Sequence, residues 1–288
     1  MQRICFYHAG CPDGFGAAWA VRRAWGPDAR FEARGHDAPL DLATCARKEI
    51  AFVDIAPPSS DWRELAARAA HMIVLDHHVT SQRRFESDPE LRAFIIERGH
   101  VVHFDTKHSG AVLAWEHFLP QQAVPALLHY VEDQDLWRWR LPNSAEINAA
   151  IAAYPRSFDV WDALAERAVD ELAGEGAPLV RAQHTQVERA LLSAHPITVA
   201  GLRVEAVNAR FPRAAIGHAL AQRARFEKPW GAVYRLTGDR VDVTLYSIGE
   251  FDIAAVATRY GGGGHRNAAG FSVSLERWLA EFILSHGR

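Results

Sequence analysis

The chain has 288 residues, 49% of them hydrophobic and 23% charged, which is enough apolar material for one large or two ordinary packed domains. A formal net charge of -3 argues against long-range attraction to a duplex backbone, although a local basic groove is compatible with it. Three cysteines without zinc-type pairing argue against a secreted disulfide scaffold, and no stretch reaches the ~18 apolar residues of a membrane span, so we expect a cytoplasmic protein without an export signal.

The first apolar segment, Ile4 to Tyr7, predicts a strand that ends at His8. The next residues include Cys11 and Asp13 and open a helix that runs from Gly14 to about Trp25. The exposed amides and the dipole of the first helical turn could help to hold an anion beside His8.

Two further apolar segments end in polar side chains. Ala51–Val53 runs into Asp54, and Met72–Leu75 runs into Asp76-His77-His78. Apolar runs without polar alternation are typical of strands buried on both faces of a parallel sheet, whose carboxyl edge faces the crevice where ligands bind. A carboxylate followed by two imidazoles supplies donors suited to manganese, iron or zinc, and a helix-capping loop with solvated histidines is the alternative.

The middle of the chain continues the alternation of strands and helices. Helical periodicity over Asp61–Ala70 precedes the Met72 strand, Val101–Asp105 predicts another strand, and Ser109 precedes a helix that ends at Phe118. Ser109 is a candidate for direct phosphate binding, but a serine in this position is more often only the N-cap. The alternation predicts a parallel, doubly wound sheet.

The helical pattern of Leu127–Trp139 ends in Asp133 and Asp135 among tryptophans, and a solvated helix end is the simplest interpretation of both. Two amphipathic helices follow, Phe158–Ala173 and Leu179–Ala194, with a predicted hinge at 174–178.

Short strand-like runs then predict a smaller domain. We therefore predict an α/β protein: a doubly wound parallel-sheet domain over 1–177, a helical linker over 178–195, and a mixed α/β domain over 196–288.

A glycine-rich segment near the carboxyl terminus predicts a ligand-binding loop. Its glycines allow close backbone approach, His265 and Arg266 offer donors for a phosphate, and Asn267 can read a base or sugar hydroxyl. A flexible turn is the usual interpretation of a glycine run, but the closing His-Arg-Asn-Ala-Ala-Gly-Phe is not typical of a linker. The residues concerned are Gly262, Gly263, Gly264, His265, Arg266 and Asn267.

Together these motifs resemble the DHH phosphoesterase superfamily with its DHH-associated second domain, which includes nanoRNases and relatives of RecJ. The resemblance covers almost the whole chain and implies a metal-dependent hydrolase of phosphate esters. It also implies a further metal-binding aspartate from the Leu127–Trp139 region, for which we choose Asp133 over Asp135. The glycine-rich loop would bind the nucleotide end of a substrate. Cys11 departs from the pattern, because many members carry an aspartate there.

Phosphodiester hydrolysis needs an activated water and charge neutralisation, which two metals about 3.5–4 Å apart supply when a carboxylate bridges them. Asp54 is the predicted bridge. We expect the remaining metal ligands to be His8, Asp13, His77 and Asp133, with Cys11 either a softer ligand or a small buried residue. The predicted catalytic residues are His78, which would touch the phosphate, and Asp76, which would orient an imidazole; the choice between His77 and His78 as ligand stays open.

We expect two manganese ions, with zinc, iron or cobalt as alternatives. Since the predicted catalytic residues and recognition loop lie on separate domains, the preferred substrates are short oligonucleotides or dinucleotides, cleaved to nucleoside monophosphates, and not duplex DNA. One alternative is a phosphoanhydride hydrolase that acts on polyphosphate or dinucleoside polyphosphates. Another is a catalytically weak nucleotide-binding regulatory module, and the oligomeric state stays open.

Overall fold

The computed structural model describes residues 2–35 and 38–283. The chain divides into two compact units, Met1–Val180 and Arg181–Arg288. The first holds a parallel sheet with helices and the second a mixed sheet with helices, so the predicted fold class is confirmed. The last residues of the predicted second domain, 284–288, lie outside the described part of the chain.

Within the described residues, the first unit contains a five-stranded sheet in the order β2-β1-β3-β4-β5, and every neighbouring pair is parallel. The strands are β1 Arg3–His8, β2 Arg30–Arg34, β3 Glu49–Val53, β4 His71–Asp76 and β5 Val101–Phe104. The helices are α1 Pro12–Trp25, α2 Trp62–Arg68, α3 Val79–Glu86, α4 Pro89–Glu97, α5 Gly110–Phe118, α6 Ala126–Asp135, α7 Ser144–Ala153, α8 Phe158–Ala165 and α9 Val169–Leu191, with a 3₁₀ turn at Leu42–Cys45. The boundary between the two units falls inside α9, so its last residues belong to the second unit.

The central strands β3 and β4 are buried on both faces, which explains their uninterrupted apolar runs. In β4, Ile73 and Leu75 pack into one hydrophobic cluster with α1, α5 and α6. Met72 and Val74 point the other way, into a cluster with α2 and α4. Successive side chains of a strand face opposite sides of a sheet, so a strand covered by helices on both sides needs apolar residues at every position.

The strand order places a topological switch point between β1 and β3. The connection from β1 to β2 runs to one side of the sheet, whereas β3, β4 and β5 extend to the other. Ligands in open α/β sheets bind outside the carboxyl ends of the strands at such a point. His8 ends β1, Asp54 follows β3 and Asp76 ends β4, so the fold brings the predicted chemistry to this crevice.

The predicted hinge at 174–178 is wrong, because these residues lie inside α9. Gly176 is needed for packing: a Cβ there would lie 1.7 Å from the carbonyl oxygen of Glu146 in α7. Pro178 also lies inside the helix, where its missing N–H costs one backbone hydrogen bond. Conversely, the predicted helix Phe158–Ala173 is divided between α8 and α9.

The described part of the second unit contains a six-stranded mixed sheet in the order β10-β11-β9-β8-β7-β6, in which β7 and β8 are parallel and the other neighbours antiparallel. The strands are β6 His195–Val199, β7 Leu202–Asn208, β8 Trp230–Thr237, β9 Arg240–Ser247, β10 Gly263–His265 and β11 Ala268–Ser274. The helices are α10 Arg213–Arg223, α11 Ile253–Thr258 and α12 Leu275–Trp278, the last continuing as a π-helical turn, Leu279–Ile283.

Among the described residues, no helix combines the length and the apolar character needed to cross a membrane.

Candidate metal centre

Asp54 lies at the middle of the candidate site, directly after β3. Its backbone has φ 56°, in the left-handed region that residues other than glycine seldom adopt. Its amide continues the sheet by donating to the carbonyl of Leu75 at 2.9 Å. Gly110, the first residue of α5, packs so closely that an added Cβ would lie 2.3 Å from the Asp54 Cβ. The backbone and this glycine together fix the carboxylate at the carboxyl edge of the sheet.

One oxygen of Asp54 faces a buried group formed by Asp13, His77 and Asp135. His77 Nε2 lies 3.0 Å from Asp54 Oδ1, 3.5 Å from Asp13 Oδ2 and 3.5 Å from Asp135 Oδ2. The ligand atoms of Asp13, His77 and Asp135 all lie within 4.8 Å of one another. The Asp13 and His77 side chains are 1% exposed and that of Asp135 is 26% exposed, so Asp135 lies on the solvent side of the group.

The other oxygen of Asp54 faces a second group, formed with His8 and His78. His8 Nδ1 lies 3.3 Å from Asp54 Oδ2, and the ligand atoms of His8, Asp54 and His78 lie within 4.8 Å of one another. Asp54 therefore stands between two sets of nitrogen and oxygen donors, with one carboxylate oxygen directed at each.

The amino end of α5 fixes Asp13. The amide of Gly110 donates to Asp13 Oδ2 at 2.7 Å and the amide of Ala111 donates to Asp13 Oδ1 at 3.0 Å. Both amides are among those that a helix leaves unpaired at its amino end, where the dipole also favours a negative charge. Asp13 is thereby held in one orientation with Oδ2 towards His77.

Asp76 orients the two histidines that follow it. Its Oδ1 accepts the amide of His77 at 2.8 Å and lies 2.7 Å from His78 Nδ1. Asp76 is fully buried and belongs to neither donor group. Its role in catalysis stays a prediction. Since Asp76 engages Nδ1, His78 can act on a cation or a phosphate only through Nε2. His77, in turn, presents Nε2 to the three carboxylates.

Burial and mutual repulsion set the protonation of the carboxylates. Burial, followed by the charges of Asp54 and Asp135, raises the pKa of Asp13 well above its usual range. Burial also raises the pKa of Asp135. Burial opposes ionisation of Asp54 as well, but hydrogen bonds with His77 and His8 hold its pKa well below the usual value. The pKa of Asp54 is therefore shifted in the opposite direction from those of Asp13 and Asp135 beside it.

The histidines respond to the same charges. Burial alone would lower the pKa of His77, but its hydrogen bond to Asp54 and the surrounding carboxylates raise that pKa well above the ordinary value. The pKa of His8 is raised for the same reasons. Protons thus neutralise part of the carboxylate charge, a role that a divalent cation could take over.

The donor chemistry fits such a cation. Carboxylate oxygens and imidazole nitrogens are ligands for manganese, zinc and iron. Asp135 Oδ2 is buried and accepts no hydrogen bond from any described residue, although His77 Nε2 lies 3.5 Å away. A buried carboxylate oxygen without a donor is costly, and a bound cation would remove that cost.

The cluster contains Asp135 and not Asp133, so the predicted choice of Asp133 over Asp135 is wrong. Asp133 Oδ1 accepts the amide of Arg140 at 2.9 Å and its Oδ2 accepts the amide of Leu141 at 3.2 Å, so this carboxylate shapes the loop after α6. Asp135, at the last position of α6, faces His77 instead. Residues two apart on a helix point to different sides, so only one of the two can face the cluster.

Cys11 is the N-cap of α1, a role that the sequence did not suggest. Its Sγ accepts the amide of Gly14 at 3.2 Å and lies 3.4 Å from both His8 Nδ1 and Asp54 Oδ2. Burial, followed by the charges of nearby carboxylates, raises the pKa of this thiol well above its usual value. The sulfur therefore borders the His8 group.

Ser109 has the helix-capping role that its position favours. Its Oγ accepts the amide of Val112 at 3.4 Å, its own amide donates to Glu132 Oε2 at 3.0 Å, and the residue is fully buried. Glu132 also contacts His108 and Arg138, at 3.2 and 2.7 Å. Direct phosphate binding by Ser109 stays a prediction. Sequence reasoning missed both Glu132 and Gly110, since neither belongs to a recognisable motif.

The glycine-rich segment forms a β-hairpin. Gly263–His265 is β10 and pairs with β11, and Arg266 and Asn267 form the turn. A Cβ on Gly262 would lie 2.0 Å from the carbonyl oxygen of Gly270, and Gly264 has φ 140°, so strand packing requires both glycines.

The turn side chains make contacts inside the second unit. Asn267 Nδ2 donates to Ser247 Oγ at 2.9 Å and to the Gly249 carbonyl at 3.0 Å, while Arg266 pairs with Glu250 at 2.6 Å. The structure thus gives a structural reason for the glycines and for Asn267. Substrate binding by Gly262, Gly263, Gly264, His265, Arg266 and Asn267 stays a prediction.

Comparison with known proteins finds limited similarity. No family model matches the chain. An uncharacterised protein of Acanthamoeba polyphaga mimivirus, R106, is 24% identical over 299 residues, which cover 94% of this chain and 67% of the viral protein.

Two solved structures resemble the chain. One is a pGpG-specific phosphodiesterase, PggH, from Vibrio cholerae, with a TM-score of 0.47, 13% identity and coverage of 96% of this chain and 95% of that one. The other is an exopolyphosphatase-related protein from Bacteroides fragilis, with a TM-score of 0.45, 12% identity and coverage of 94% and 86%. Both TM-scores lie below one half, so this likeness assigns neither a family nor an activity to the chain.

Proposed function

We propose that the first unit is a metal-dependent phosphoesterase that hydrolyses short oligonucleotides or dinucleotides to nucleoside monophosphates. The observation that carries the proposal is the position of Asp54, whose Oδ1 faces His77 and whose Oδ2 faces His8. A carboxylate between two donor sets is the usual way of holding two divalent cations near one phosphate.

The residues divide into two binding groups. Asp13, His77 and Asp135 would hold one cation, His8 and His78 the other, and Asp54 would serve both. When bound, the two cations would neutralise charge on the phosphate oxygens and lower the pKa of an attacking water. The donor set is compatible with manganese, zinc, iron or cobalt.

The protein's own groups would position the substrate. Asp76 holds the His78 ring through Nδ1, so Nε2 is directed as either a cation ligand or a hydrogen-bond donor to a phosphate oxygen. Asp13 cannot turn away, because two amides of α5 hold both of its oxygens. Positioning of this kind, and not proton transfer alone, accounts for much of phosphoryl-transfer catalysis.

The segment after Asp135 favours a nucleotide over inorganic polyphosphate. Trp137 and Trp139 are partly exposed, lie edge to face with ring centroids 5.1 Å apart, and alternate with the exposed Arg138 and Arg140. Aromatic rings among arginines are a common means of binding single-stranded nucleotides, since stacking contributes about 1–3 kcal/mol per base. The resemblance to DHH phosphoesterases supports the same substrate class.

The test is product identification by mass spectrometry. Purified protein is incubated with linear dinucleotides, cyclic dinucleotides, dinucleoside polyphosphates and polyphosphate, each with manganese, zinc, cobalt or iron(II). We expect nucleoside monophosphates from the linear dinucleotides. Release of orthophosphate from polyphosphate, without dinucleotide cleavage, would assign a phosphoanhydride hydrolase instead. Tight nucleotide binding without turnover under any metal would assign a binding module.

Asp54→Asn is the matched inactive variant. Asparagine keeps the shape of the side chain and tolerates a left-handed backbone, so the substitution removes the charge alone. Glu64→Gln is the control, because Glu64 is an exposed carboxylate that pairs with Arg68 on α2, outside both groups. Turnover should be lost in the first variant and unchanged in the second.

A further inference from the structure

Three donor atoms of different chemistry lie close together beside the turn between β1 and α1. Cys11 Sγ lies 3.4 Å from His8 Nδ1 and 3.4 Å from Asp54 Oδ2, and these two atoms are 3.3 Å apart. Independently of the cysteine, His8 and Asp54 belong with His78 to a group with metal-binding geometry. The sulfur therefore contacts two members of a candidate cation site.

The fold holds Cys11 in this place. The residue has extended backbone, φ −116° and ψ 156°, as an N-cap requires, and its sulfur accepts the amide of Gly14. Gly14 packs against β1 so tightly that an added Cβ would lie 2.2 Å from the carbonyl oxygen of His8. The backbone of this turn and the Gly14 amide thus hold the sulfur beside the His8 imidazole.

We propose that Cys11 supplies a thiolate ligand to the cation held by His8 and Asp54, which makes this end of the centre selective for a thiophilic cation. Zinc, iron(II) and cobalt(II) form strong bonds to thiolate, whereas manganese and magnesium prefer oxygen. On binding, the S–H bond breaks, a bond from sulfur to the cation forms, the proton leaves to solvent, and no electron is transferred. The inference rests on the proposed two-cation function.

Charge balance favours a cysteine at this position. An aspartate there would place another carboxylate beside Asp54, in a cluster that already contains Asp13 and Asp135. A thiol can stay neutral in the metal-free chain, where it donates to Asp54, and can become a ligand when a cation arrives. Cysteine therefore provides a ligand without adding a buried charge to the metal-free protein.

Cobalt(II) provides a test that does not require turnover. The metal-free chain of 288 residues is titrated without oxygen while absorption and bound cobalt are recorded. We expect a near-ultraviolet thiolate-to-cobalt charge-transfer band that is absent from Cys11→Ser and Cys11→Asp but present in Cys45→Ala, whose thiol is buried away from both groups. Bound cobalt without this band in the wild type would overturn the proposal, and so would wild-type protein that binds no cobalt.

Selectivity is the second readout. Cys11→Asp should reduce the preference for zinc over manganese about 10-fold or more, since even the partners of metal ligands contribute 10- to 100-fold to affinity. An unchanged zinc-to-manganese preference, measured by competition dialysis, would contradict the proposal.

A third measurement needs no variant, in case the substitutions prevent folding. In the native chain Cys11 is partly exposed, whereas Cys5 and Cys45 are buried. Alkylation followed by peptide mass spectrometry should therefore modify Cys11 first, and zinc should slow that modification while magnesium should not. Equal rates with and without bound zinc would exclude Cys11 as a ligand.

The two proposals can fail separately. Dinucleotide cleavage by wild-type protein that binds cobalt without the charge-transfer band would overturn the cysteine assignment alone. A thiolate band and zinc protection without turnover of any phosphate substrate would overturn the hydrolase proposal and leave the thiolate ligand in place.

Discussion

Gly110→Ala tests how strictly the fold holds Asp54. The added Cβ would lie 2.3 Å from the Asp54 Cβ and 2.7 Å from its Cα. Carbon atoms in contact are about 3.5 Å or more apart, so one of the two backbones must move by roughly 1 Å. The Asp54 backbone has little freedom to move, because it is already in the left-handed region and bonded to β4.

Two effects of this clash can be estimated. Overpacking of this kind costs about 1–3 kcal/mol of unfolding free energy, and each kcal/mol lowers the melting temperature of a domain of this size by about 2–4 °C. A displacement of about 1 Å at a reacting centre can reduce turnover about 100-fold. We therefore expect Gly110→Ala to lose both stability and activity, and to bind cations more weakly.

Gly174→Ala is the matched control. Gly174 lies inside α9, and an added Cβ there would have no atom within 4 Å. Alanine should stabilise that helix by about 0.8–1.0 kcal/mol and leave turnover unchanged. Thermal melts and calorimetric cation titrations of both variants check the prediction. If the melting temperature and the turnover rate of Gly110→Ala equal those of the wild type, close packing against Gly110 does not fix the position of Asp54.

Three further predictions concern the rest of the centre. Asp135→Asn should weaken cation binding about 10- to 100-fold or more. Asp133→Asn should keep the cation stoichiometry and lower the free energy of unfolding in urea by about 1–3 kcal/mol. The opposite pattern would show that Asp133, and not Asp135, is the cation ligand. Asp76→Asn should weaken cation binding about 10- to 100-fold by equilibrium dialysis, and an unchanged affinity would remove its positioning role. Because the pKa of His77 is raised, the metal-free chain keeps this proton to a higher pH, and an incoming cation must displace it. Cation affinity should therefore rise with pH through the neutral range, with proton release measurable by calorimetry in buffers of different ionisation enthalpy; affinity that falls with pH would contradict this.

The parallel sheet could be predicted from the sequence because the hydrophobic pattern determines it. The same holds for the carboxyl edge of the sheet, where the candidate metal ligands meet. Apolar runs ending in His8, Asp54 and Asp76 mark strands buried on both faces, and parallel strands bring their carboxyl ends to one edge. The helices α3, α4 and α7 were not predicted, because tertiary contacts select these short segments more than their own periodicity does.

The choice between Asp133 and Asp135 could not be made from the sequence. It depends on a loop that folds back so that the amides of Arg140 and Leu141 reach Asp133. The glycine-rich segment illustrates the same limit, because close packing between β10 and β11 requires glycine as strictly as close approach of a ligand would. The sequence pattern identifies candidate glycines and carboxylates. Long-range contacts determine whether such a residue lines the candidate metal centre or stabilises the fold.

The donors of this centre come from distant points of the chain, since Asp135 lies 127 positions after His8 in the sequence. An unfolded polypeptide cannot present them together, so a cation would bind the native state almost exclusively. Thermodynamic linkage then makes the resistance of this unit to unfolding a function of cation concentration, with a gain of about 2.7 kcal/mol when the free cation is at about 100 times its dissociation constant. Chelators should for this reason act on the protein as mild denaturants as well as inhibitors.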